Sequence, residues 1–150
     1  WLVTKNKTEY LQKIQKKNNL LVGFHFEYLY LNFLKKNKFK FSNLTNNVIL
    51  NFHVKNKNLK NNHKSELGSH LVAIKKYYFP RIKNCKISTG FKKNLRNISI
   101  KIKNKKIIHN FTYNTENIIQ KFIKDYLNHY NKNKKFKLDF NFMISDKLIK

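Results

Sequence analysis

Six histidines, one cysteine and seven acids are the residues of this chain that could do covalent, acid–base or metal chemistry. Their spacing assembles none of it. His25, His53, His63, His70, His109 and His129 are scattered; His63 and His70 fall on one face of a helix, but no acid or Cys completes a metal set with them. Cys85 stands outside any CxxC or Cys/His grouping, and a single cysteine forms no internal disulfide. Lys83 and Lys86 would lower its pKa if they came close, yet an isolated Cys in a strand-like run is more often a small apolar filler, and we read it as structural. No GxGxxG, GxxxxGK or GxSxG occurs, and three glycines are too few for a phosphate cradle. The expectation is a protein that is not an enzyme and carries no cofactor and no metal.

What remains is charge. Thirty-three Lys and Arg stand against seven Asp and Glu, a formal +26, and self-repulsion of that size calls for a polyanionic partner. An anionic membrane surface would favour lysines gathered on one amphipathic helix, and a tail-type binder would hold them in one block. Here they run from Lys5 to Lys150, interleaved with thirteen Phe and eight Tyr, and 41% of residues are apolar. That is too apolar for a disordered chain. The composition describes a folded body with a basic skin, which points to nucleic acid.

Thirty-one of the cations are Lys; only Arg81 and Arg96 are Arg. Selection for bidentate phosphate forks would have favoured Arg. With one Ala and one Pro beside abundant Asn, Ile and Phe, the pattern is that of an organellar or otherwise AT-rich gene, in which part of the Lys content is mutational drift. The longest apolar stretch, Leu20 to Leu34, carries His25 and Glu27 and falls short of the roughly 20 residues that cross a bilayer, so no membrane partner is expected. No Ser- and Arg-rich targeting peptide is visible, and a start at Trp1 without an initiator Met points to trimming or to an unusual start.

The elements that must carry this charge are legible in part. Thr8 to Asn19 is polar and amphipathic; Leu20 to Phe41 is aromatic and suits a strand or a helix equally. Val48, Leu50, Phe52 and Val54 alternate as a half-buried strand. Leu67, Leu71, Ile74 and Tyr78 recur at helical spacing, and Pro80 closes that segment. Ile82 to Ile87 and Ile98 to Ile102 are β-branched runs joined by the polar and basic stretch Ser88 to Asn97, which together predict a long basic hairpin whose second arm continues through Ile107, Ile108 and Phe111. Asn114 and Thr115 offer N-cap oxygens to a second helix with Ile118, Ile119, Phe122, Ile123, Tyr126 and Leu127 on its apolar face. Phe136, Leu138, Phe140 and Phe142 alternate as a last strand, their period better suited to a sheet core than to base stacking.

Strand, helix, strand, strand, helix, strand is the order of the split β-α-β plait, so the expected class is α+β, ferredoxin-like, with a long basic hairpin and an N-terminal extension. We expect an aromatic extension over 1–45 that packs on a partner or on the plait itself, a plait domain over 46–143 and a tail over 144–150. The expected RNA contacts are Arg81, Lys83, Lys86, Lys92, Lys93, Arg96, Lys101, Lys103, Lys105 and Lys106, because a solvated basic hairpin backed by this net charge meets phosphate.

Ser88, Lys93, Arg96, Lys106 and the pair Ile107-Ile108 stand at the spacing found in the universal small-subunit ribosomal protein ten family, and the stretch Ile87 to Ile108 resembles its hairpin. About 95 residues, from Asn46 to Phe142, can be laid on that family's plait. Ile98, Ile100 and Ile102 fall on the opposite parity from the family's, which calls for a one-residue shift or bulge. The resemblance implies a structural constituent of the small ribosomal subunit, in its head. Its partners would be small-subunit rRNA and neighbouring ribosomal proteins, with no membrane and no homo-oligomer. The AT-rich composition places it in the mitochondrion, on a matrix mitoribosome, with the plastid as the alternative. Two other functions stay open: another organellar ribosomal or RNA-binding protein with the same plait, and an accessory subunit of an organellar membrane complex.

Overall fold

The computed structural model describes residues 5–45, 47–54, 63–91, 97–103, 105–110, 117–132, 134 and 136–138. They form two compact units, 28–118 and a second made of 1–27 with 119–150.

The larger unit is α+β, as expected, and its four strands and helices are compatible with a plait. It comprises all but the first residue of a 3-10 turn (Glu27–Tyr30), the short helices α2 (Asn32–Lys36) and α3 (Lys38–Ser42), β1 (Val48–Val54), α4 (His63–Tyr78), β2 (Cys85–Phe91), β3 (Asn97–Ile102) and β4 (Lys105–Asn110). The strands lie in the order β2-β1-β3-β4. β1 is parallel to β2 and antiparallel to β3, and β3 is antiparallel to β4.

The connections differ from the expected hairpin. Both β-branched runs supply strands, but β1 lies between β2 and β3, so the stretch 88–97 does not join two paired arms. A reason is visible on β1, where Asn51 bonds both neighbours: its Nδ2 donates to Ser99 Oγ at 3.1 Å and its Oδ1 accepts from the Ser88 hydroxyl. Ser88, Thr89 and Gly90, expected at a hairpin tip, are strand residues in register with Asn51, Phe52 and His53. The second arm also divides. Lys103, at φ 51°, turns the chain between β3 and β4, the positive φ that a two-residue hairpin turn requires. No bulge is needed for the isoleucines, because Phe52, Leu50 and Val48 pair in unbroken register with Ile98, Ile100 and Ile102.

That register gives the sheet two faces. Val48, Leu50, Phe52, Ile98 and Ile100 are buried on one of them, and α4, which packs on β1 and β2, buries Leu67, Leu71, Ile74 and Tyr78. Each such aliphatic side chain removed from water contributes about 1.5–3 kcal/mol. Tyr28 to Leu44 belongs to the same compact unit as the sheet. Tyr28 sits edge-on to both Phe52 and His70, Phe33 stacks on His109 at 4.5 Å, and Phe41 stacks on Phe79 at 4.8 Å. Aromatic side chains of this size find more stabilisation against a sheet than in water.

In the smaller unit, α1 (Lys5–Lys17) ends in a Schellman motif: Asn19 takes φ 49°, and the Leu20 and Asn19 amides donate to Gln15 and Lys16 carbonyls. The other helix is α5 (Ile118–Asn131). Phe136 is fully buried among the rings of Phe122, Tyr126 and His129, and the Phe24 amide donates to the Leu138 carbonyl at 2.7 Å. Only half of the expected apolar face of α5 is used: Phe122 and Tyr126 turn to Phe136, while Ile119, Ile123 and Leu127 are exposed. Residues 136–138 are not in a strand, and the rest of the expected last strand, with Phe140 and Phe142, lies outside the described residues.

Candidate nucleic-acid interface

The second face of the sheet is polar because every strand alternates against its buried side. From β2 it takes Lys86, Ser88 and Gly90; from β1, Ile49, Asn51 and His53; from β3, Asn97, Ser99 and Lys101; from β4, Lys106, Ile108 and Asn110. Two cross-strand rows are hydrogen-bonded. Ser88, Asn51 and Ser99 form one, and in the other His53 Nδ1 lies 3.2 Å from Asn97 Oδ1. Asn97 and Ser99 are only 3% exposed, so these bonds satisfy polar groups that burial would otherwise penalise. Gly90 fits here because a Cβ would come within 3.2 Å of the His53 ring.

The third row is cationic. Lys86, Ile49, Lys101 and Lys106 follow one another across the four strands, and Lys101 stands directly opposite Lys106. At roughly 4.8 Å between strands, the row spans about 14 Å. All three lysines are exposed. Arg81 and Lys83, also exposed, lie in the turn that leads into β2, Lys103 lies in the turn that leads into β4, and Lys105 is the first residue of β4. These seven cations therefore gather at one end of the sheet, where β1, β2 and β4 begin and β3 ends. None of the four described strands carries an Asp or Glu.

Lys92, Lys93 and Arg96 lie outside the described residues. Their flanking residues Phe91 and Asn97 pair with Val54 and His53, at the other end of β1. The polar rows of Asn51, Ser88, Ser99, His53 and Asn97 were not singled out in the sequence. The signal was there, as small polar residues at period two in three separate runs.

Burial pushes the Cys85 thiol up from its ordinary value, against a weaker lowering by Lys75. The thiol stays protonated near neutrality, which suits a packing role. Among the described residues no three His, Cys, Asp or Glu side chains gather as a metal site requires, and no helix is long and apolar enough to cross a membrane. Compared with known protein families, curated proteins and solved structures, the chain matches none of them.

Proposed function

We propose that this chain is a structural constituent of the small subunit of an organellar ribosome, held to rRNA by the basic end of its sheet. The observation that carries the reading is the gathering of Arg81, Lys83, Lys86, Lys101, Lys103, Lys105 and Lys106 at that end, on strands without a carboxylate. Residues 28–118 hold twenty Lys and Arg against Glu66 and Glu116 alone, so this unit carries +18 of the +26. Uncompensated cations on a folded surface fit a run of phosphates, whose condensed counterions they release. The resemblance at Ser88, Lys93, Arg96, Lys106 and Ile107-Ile108 supports a place in the small-subunit head, beside neighbouring ribosomal proteins. The AT-rich composition supports the mitochondrion, with the plastid as the alternative. Nothing in this role calls for catalysis.

Sedimentation of organellar extract in a sucrose gradient at moderate salt tests the reading. The chain is expected with small-subunit particles; recovery at the top of the gradient sinks the proposal.

A second reading, an accessory subunit of an organellar membrane complex, is favoured by one observation. Ile119, Ile123, Leu127 and Tyr130 form an exposed apolar stripe along α5, a surface suited to protein contact. Ribonuclease separates the two, since such a subunit stays in its assembly after the RNA is digested.

A further inference from the structure

We infer that the basic end of the sheet takes the sugar-phosphate backbone of double-helical RNA, with one phosphate between Lys101 and Lys106 and a second at Lys86, and that it reads no base. The inference rests on the RNA-binding reading above and names the form of RNA that this surface fits.

Three observations carry it. Lys101 and Lys106 are directly opposed across β3 and β4, both exposed. Like charges so placed are destabilising unless an anion lies between them, and none of the four described strands offers a carboxylate. A phosphate oxygen shared by the two ammonium groups removes that repulsion. Lys86, two strands from Lys101, is about 10 Å away, too far to share the same phosphate and placed for another.

The second observation concerns stacking. Proteins that hold single strands on a sheet stack bases on aromatic side chains of the exposed face. The polar face here has none: its twelve positions are Lys, Ser, Gly, Ile, Asn and His, with His53 bound to Asn97. On the opposite face Phe52 packs against Tyr28 and Phe33 stacks on His109. The third is accessibility. Ser99 and Asn97 are buried and bonded to Asn51 and His53, so base edges find no free readers among them. What the surface presents is charge at fixed spacing, which suits helical RNA recognised by shape and backbone.

The test uses the full chain and two fluorescent RNAs, a duplex of about 16 bp, the length a small double-strand binder covers, and a mixed-sequence single strand of equal length. Binding is followed by anisotropy over a salt series. The duplex is expected to bind at least as tightly as the single strand at each salt concentration. The K101Q/K106Q double variant, which loses the one phosphate the two lysines share, is expected to flatten the slope of log K against log salt for the duplex by about one, and K86Q likewise by about one. The K13Q/K16Q pair on α1, with the same loss of charge, is expected to leave the slope unchanged. A several-fold preference for the single strand overturns the inference, and so does equal flattening by K13Q/K16Q. Failure of both RNAs to bind at moderate salt sinks the RNA-binding reading itself. Circular dichroism confirms that each variant is folded before it is scored.

Discussion

The Tyr78 hydroxyl, in the last turn of α4, donates to the main-chain carbonyl of Leu29 at 2.5 Å. Both residues are buried, so the bond ties the aromatic segment to the helix that covers the sheet. Tyr78→Phe keeps the ring and leaves the Leu29 carbonyl without this donor. A buried acceptor stranded in this way costs about 1–3 kcal/mol. The urea midpoint of the variant is expected to fall accordingly, and an unchanged midpoint would show that the carbonyl finds another donor.

The same hydroxyl makes stability depend on pH at the alkaline end. Burial raises the Tyr78 phenol well above its ordinary value, and Tyr77 adds a smaller push in the same direction. In the unfolded chain the phenol ionises near pH 10. Above that pH the unfolded state loses a proton that the folded state keeps, so the contribution is complete below about pH 10 and declines as pH rises through the folded value. Chemical denaturation from pH 8 to 11 is expected to show wild-type stability falling above about pH 10, and Y78F falling less steeply. Parallel curves would remove Tyr78 as the cause.

Phe41 tests whether the aromatic segment is part of the sheet unit or an appendage to it. The side chain is fully buried and stacks on Phe79. Phe41→Ala is expected to cost about 3–5 kcal/mol, the range of a core aromatic deletion. An appendage would show no such loss, and the midpoint of cooperative unfolding decides.

Gly23 makes the corresponding test in the smaller unit. A Cβ there would lie 2.7 Å from Phe136 Cδ1 and 2.9 Å from Tyr126 Cδ2. Both rings are held, Phe136 by burial among its neighbours and Tyr126 by a hydroxyl bond to the Leu21 carbonyl. Gly23→Ala is expected to overpack this site by about 1–3 kcal/mol, read as a lowered melting temperature. A neutral result would mean that the rings can move aside.

Elements whose pattern is local were legible in the sequence. Val48, Leu50 and Phe52 alternate as a strand, and Leu67, Leu71, Ile74 and Tyr78 face inward on α4 as their spacing required. Strand partners were not legible, because pairing is settled by contacts far apart in sequence. Ile87 and Ile98 look like hairpin arms until Asn51 is seen bonding to Ser88 on one side and Ser99 on the other. Ser88-Thr89-Gly90 reads as a loop in the sequence because polarity on a sheet face and polarity in a turn leave the same trace. The turn at Lys103 lacked the glycine that would have announced it. Of the expected contacts, seven cations converge at one end of the sheet. The strand order that gathers them is encoded by no local pattern.

The sheet of described strands ends in β2 on one side and β4 on the other. Outer strands carry unpaired main-chain groups that invite another chain to extend the sheet. Lys86 marks the first border, and Lys105 and Lys106 mark the second. A second copy approaching either border meets its own charge before it can pair. Lysines at both borders of the described sheet therefore oppose edge-to-edge growth between copies of the chain.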